Sequence, residues 1–163
     1  MPNIISESAQ IGKLTSIETS QKGSKLIIGD NCRIDDFVKI KFTGGLGDIE
    51  MGKSVYLNSG CVLYSGNGIK IGDHVLIGPN CSIVPTNHEF ANKNELIFNQ
   101  RFAPSKGGII IEDDVWIGAN VTILDGAVIK RGAVIGANSL VKGIIEEYSV
   151  NVGSPAKCIG HRK

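Results

Sequence analysis

The sequence predicts an all-β fold, a parallel β-helix of very short strands interrupted by one long excursion loop. Three observations carry this reading. An aliphatic residue returns at every sixth position, the fifth place of each hexad is small or β-branched, and the register breaks at length between about residues 85 and 108. Spacing of six fits neither an amphipathic helix nor a plain alternating strand. It fits a solenoid in which each hexad makes one flat face and one corner, and three faces close a triangular coil. A single coil cannot bury its own apolar face, so stability must come from stacked neighbours.

The clearest run is Ile111, Ile117, Ile123, Ile129, Ile135 and Val141, with Val115, Val121, Ala127, Ala133 and Ser139 at the fifth places. Upstream, Ile71, Ile77 and Ile83 continue the register, preceded by Met51, Leu57 and Leu63, by Ile28, Ile34 and Ile40, and by Ile5, Ile11 and Ile17. Gly and Asn before the corners suit a backbone with positive φ. Cys32, Cys61 and Cys81 fall on fifth places and read as buried, reduced core residues, while Cys158 lies outside the repeat. The 163 residues read as one domain, 1–163, with a C-terminal tail at about 149–163.

Composition excludes several function classes. The 17 basic and 16 acidic residues leave a net charge of +1, which gives no electrostatic case for a nucleic-acid partner. No apolar run is long enough for a membrane span. The first residues lack the basic and apolar segments of a signal peptide, so a cytoplasmic location is expected.

Interruptions in a regular scaffold are where function is expected. Residues 41–48 read as a light surface bulge and 64–68 as a smaller corner insertion. The long break, Pro85 to Gly108, holds Phe90, Phe98 and Phe102, three of the five phenylalanines, which need a surface to cover. Asn87 and His88 open it. His74 is a corner residue expected to face solvent and His161 is in the tail, which leaves His88 at the mouth of the loop. An imidazole with an unperturbed pKa of about 6.5 suits proton abstraction near neutral pH. Trp116, the only tryptophan, falls on an outward sixth place, where it either packs on the loop or walls a ligand.

Residues 49–162 resemble the sugar O-acetyltransferase branch of the hexapeptide-repeat acyltransferases, near the galactoside, maltose and polysaccharide enzymes. The resemblance rests on an ordered set: Ile71-Gly72-Asp73-His74-Val75-Leu76-Ile77-Gly78-Pro79-Asn80, then Asn87-His88, Val115 to Val121, Ile135-Gly136-Ala137, and Gly153-Ser154-Pro155-Ala156-Lys157. It implies a left-handed coil, a hand that spacing alone does not give. It implies acetyl-CoA as acyl donor, a sugar-like hydroxyl as acceptor, no required metal, and a homotrimer with sites between subunits. By the same resemblance His88 is the general base, and Asn58 and Asn87 are substrate contacts, although Asn58 also reads as a plain turn residue. Trp116, Ala119 and Ala137 would line the pantetheine path, with the Ala119 amide as oxyanion donor.

Lys142, Lys157 and Arg162 are the basic candidates for the CoA phosphates, the alternative being a solvated tail. This sequence departs from the family at several places. Lys142-Gly143 stands where relatives often have Thr-Lys, and Ser65-Gly66-Asn67 carries no carboxylate where the galactoside enzymes have an acidic sugar contact. The galactoside and maltose enzymes carry an N-terminal helical segment, whereas here the coil is expected to begin at once, with Ile5 and Ile11. N-acetylation of a nucleotide-linked amino sugar or a drug is the alternative reaction, and a non-catalytic scaffold or sugar-binding module is the non-enzyme alternative. A γ-type carbonic anhydrase would need further histidines in the loop, which holds only His88.

Overall fold

The computed structural model describes residues 3–163. Three parallel sheets form the faces of a left-handed β-helix. Strands two to four residues long follow one another around the faces. The first face runs from Ile4–Ile5 to Ile144–Ile145, the second from Gln10–Ile11 to Ser149–Val152, and the third from Ser16–Ile17 to Leu140–Val141. Each strand pairs in parallel with its equivalents in the coils above and below, so the aliphatic first places meet in columns. Ile71 lies beside Met51 and Ile111, Ile77 beside Leu57 and Ile117, and Ile83 beside Leu63 and Ile123. These columns are the core, together with the fifth-place residues, including Cys32, Cys61 and Cys81. The Cys61 thiol donates to the Gly78 carbonyl, and the neighbouring Cys81 thiol together with burial pushes its pKa far above the usual range. None of the four cysteines is in a disulfide.

The corners explain the rest of the hexad. Many fourth places are left-handed backbone: His74, Asn80, Asp114, Asn120 and Asn138 have φ of 57 to 60°. The second-place glycines serve a different purpose from the one expected. Gly78 and Gly118 do not have positive φ; they are glycine because the next coil is too close. A Cβ on Gly118 would stand 2.7 Å from the Ala137 nitrogen.

Two expectations about irregular segments change. Residues 41–48 are one layer of a stacked corner rather than a lone bulge. Gly45 and Gly47 lie directly against Gly66 and Gly68, and Gly66 lies against Pro85. The tail does not run free. Ser149–Val152 joins the second face, and Lys157–His161 returns antiparallel to it, the one reversed strand among those described. The turn between them, Gly153 to Ala156, caps the third face through bonds from Leu140 N to Gly153 O and from Ala156 N to Leu140 O. The third-face strand Ser82–Val84 ends at Val84, and the first face resumes at Ile109, so the long loop occupies the third corner with the limits read from sequence.

Candidate active site

His88 is held by a small hairpin at the foot of the loop. Its two limbs run antiparallel, with Glu89 N donating to Arg101 O at 3.0 Å and Ala103 N donating to Asn87 O at 2.9 Å. Between them the imidazole stacks on Phe102, with ring centroids 4.9 Å apart. Its Nδ1 lies 3.0 Å from the Arg101 carbonyl oxygen. A carbonyl can only accept, so this bond requires the proton on Nδ1 and leaves Nε2 with its lone pair. The tautomer fixed in this way is the one a general base needs, on an exposed ring.

Arg101 reaches that carbonyl position by unusual backbone. It terminates the short helix Ile97–Gln100 with φ of 65° and ψ of −142°. Such a conformation costs a non-glycine residue roughly 1–3 kcal/mol and persists only where its surroundings hold it. Here Gln100 contributes, bonding to Asn92 N, Asn92 O and Glu95 O. Glu89, the nearest carboxylate in sequence, turns away from the imidazole. Its Oε1 accepts from Ala91 N and Phe90 N, and those two bonds hold its pKa below the usual carboxylate range.

The other candidates divide among separate parts of the coil. Asn87 joins His88 at the third corner. It shares a cavity of about 140 Å³ with Thr86, Pro104, Asp125 and Lys142, so Lys142 lies beside the loop. A larger depression of about 470 Å³ lies on the first face, around Lys70, Ile110 and Arg131; it contains none of the candidate residues. Asn58, Ala119 and Ala137 lie at the second corner, with the coil of Gly78 between Asn58 and Ala119. Asn58 Nδ2 donates to Ile77 O at 2.8 Å, which is the turn role, and its side-chain oxygen has no donor among the described residues. Neither the Ala119 nor the Ala137 amide donates a hydrogen bond among the described residues.

Trp116 stands outward on the second face, 56% exposed, paired with Leu76 on one side and Val134 on the other. It lines a depression of about 300 Å³ with His74, Asp114 and Arg162, and no residue of its own chain's long loop lines it. Lys157 and Arg162 come to opposite ends of the reversed strand. Lys157 pairs near Val152, while Arg162 reaches the first corner and binds Asp114 Oδ2 at 2.8 Å and Gly132 O at 3.1 Å, close to the Tyr148 ring. One chain therefore does not bring these two cations to one phosphate, and Arg162 is already engaged. Sequence reasoning missed Arg101 and Phe102, the partners of the imidazole, and no local pattern marks a backbone carbonyl as a catalytic support.

Comparison with known proteins follows the same lines. Residues 108–143 match the bacterial transferase hexapeptide (six repeats) model and residues 68–87 the hexapeptide repeat of succinyl-transferase. The dTDP-4-amino-4,6-dideoxy-D-glucose acyltransferase of Escherichia coli is 30% identical over 155 residues, 90% of this chain and 80% of that protein. The chain belongs to the hexapeptide-repeat acyltransferases. Within the family, the galactoside O-acetyltransferase of Lactococcus lactis is 33% identical over 83% of this chain. The chain spans only 50% and 62% of the length of the first two curated relatives, the second being that lactococcal enzyme. Among solved structures, a variant of AntD, an N-acyltransferase from Bacillus cereus, in complex with dTDP-4-amino-4,6-dideoxyglucose and coenzyme A superposes with a TM-score of 0.82. The match has 27% identity and covers 98% of this chain and 83% of that one. Among the described residues no helix is long and apolar enough to cross a membrane.

Proposed function

We propose that the chain is an acetyl-CoA-dependent O-acetyltransferase acting on a sugar hydroxyl, with His88 as general base. The observation that carries this is the bond from His88 Nδ1 to the Arg101 carbonyl, which leaves an exposed Nε2 free to accept a proton. In the reaction, Nε2 takes the proton of the acceptor hydroxyl as its oxygen attacks the thioester carbonyl. The C–S bond then breaks, and the imidazolium returns the proton to the departing CoA sulfur. No covalent enzyme intermediate is needed, and positioning supplies most of the rate. The undonated Ala119 and Ala137 amides, on a corner lined by Gly78 and Gly118, suit a thin pantetheine arm and a developing oxyanion. Lys142, beside the loop, suits a CoA phosphate.

His88 is on the third corner and Trp116 on the second face, so both can serve one site only when two copies come together. A homotrimer with its clefts between subunits supplies that arrangement and gives the exposed phenylalanines of the loop a surface to cover. Sedimentation at micromolar concentration should return three times the 17.3 kDa chain mass; a monomer that still turns over would remove the shared site.

The deciding experiment incubates the protein with acetyl-CoA and panels of saccharides, nucleotide-linked amino sugars and amines, and follows release of free CoA thiol. Turnover confined to hydroxyl acceptors supports the reading. Turnover confined to amines would replace it with N-acylation of a nucleotide-linked amino sugar, a second reading favoured by the likeness to AntD and to the Escherichia coli acyltransferase. No thiol release with any acceptor would overturn both.

A further inference from the structure

We infer that Asp125 is a positioning residue for His88, acting through the return limb of the loop. Asp125 follows the third-face strand Thr122–Leu124 and lies in the coil beyond Pro85, since Leu124 pairs with Val84. Its carboxylate gathers three donors from two separate segments. Oδ2 accepts from Lys106 N at 2.8 Å and from Asn67 Nδ2 at 3.1 Å, and Oδ1 accepts from Gly108 N at 2.9 Å. Gly126 N adds a bond of 2.7 Å to the Gly108 carbonyl. The end of the loop is thus tied both to the corner that precedes the loop and to the coil that follows it.

The limb from Arg101 to Lys106 is fixed at two places. At one end it pairs with residues 87–89, and at the other its Lys106 amide is bound to Asp125. The first place is where the Arg101 carbonyl holds the imidazole and Phe102 stacks on it. The cavity of about 140 Å³ lies between the two, with Asn87 on one side and Asp125 on the other, so the limb has room to shift if its tether is lost. A carboxylate suits this position because all three partners are donors and an ionised carboxylate only accepts. An amide in its place would set an N–H₂ group against one of those N–H donors.

The link from Asp125 to the imidazole stands apart from any assignment of activity; its consequence for catalysis rests on His88 being the base proposed above. The test is ¹⁵N NMR of the histidine side chains in the intact protein and in Asp125→Asn and Asp125→Glu, with acetyl-transfer kinetics beside it. In the parent, His88 should show the Nδ1–H tautomer. Asp125→Asn should mix the two tautomers at His88 while leaving His74 and His161 unchanged. It should also lower kcat by on the order of 10- to 100-fold, the scale of a misplaced catalytic group, with KM for acetyl-CoA steady. Asp125→Glu keeps both acceptor oxygens and should lose less than the Asn variant. An unaltered His88 tautomer in a folded Asp125→Asn protein would overturn the inference, as would equal losses in the Asn and Glu variants. A mixed tautomer with unchanged kcat would support the positioning role and remove His88 as the base.

Discussion

Ile111 and Phe98 lie thirteen residues apart and belong to different kinds of structure. Ile111 is 1% exposed and sits in a column that repeats through the coils; Phe98 is 82% exposed, on a loop that occurs once. The coils are held by burial, and each side chain is supported by equivalents above and below it. The loop is held by a few named hydrogen bonds, by one stacked ring pair, and by a backbone residue in strained geometry. Where burial is redundant, the chemistry of individual residues matters little. Where support is thin, single groups decide conformation, and that is where the free imidazole nitrogen is found.

The contrast can be broken in order of effect. Replacing Ile117, fully buried in the second face, by Ala should cost about 2–5 kcal/mol in denaturant unfolding, the range for a deleted core aliphatic. A loss below about 1 kcal/mol would mean that the coils relax around cavities and are not close-packed. His88→Ala should do the reverse. Acetyl transfer should fall by roughly 10²-fold or more, with acetyl-CoA binding by calorimetry and the unfolding midpoint both retained. Near-normal turnover would separate the loop from the chemistry. Trp116→Ala should weaken acetyl-CoA binding by about three- to tenfold, the scale of a single aromatic contact; unchanged affinity would take the second face out of the donor site. Phe98→Ser should change unfolding free energy by less than about 0.5 kcal/mol if its ring stays in water. A larger, concentration-dependent loss would show that another copy covers it.

The same contrast sets what could be read from sequence. Hexads are local and repeated, so the register from Ile28 to Val141, the buried cysteines and the loop limits at Val84 and Ile109 were all legible. Outward placement of Trp116 and solvent exposure of His74 followed from their places in the hexad. His88 was legible as a candidate because it opens the break. Its Arg101 partner was not, because that partner is a carbonyl and its aim depends on one backbone angle. Asp125 looked like any other corner residue; its role comes from donors 17, 19 and 58 residues away. Arg162 was read as a phosphate candidate or a solvated tail residue, and its bond to Asp114 was not legible because nothing within the tail itself points 48 residues upstream.

The reversed strand Lys157–His161 also has a bearing on solubility. Parallel coils present the same edge polarity at every level, so a stack of them could in principle grow without limit, one molecule upon another, into a filament. The second face instead finishes in a strand of opposite direction, and the Gly153–Ala156 turn covers the neighbouring third face. An incoming first coil meets an edge whose hydrogen-bonding groups are in the wrong order. Lys157–His161 thus shields the parallel edge of Ser149–Val152, with Arg162 bound to Asp114 beside it, and removing that strand should leave the edge open to pairing with another coil.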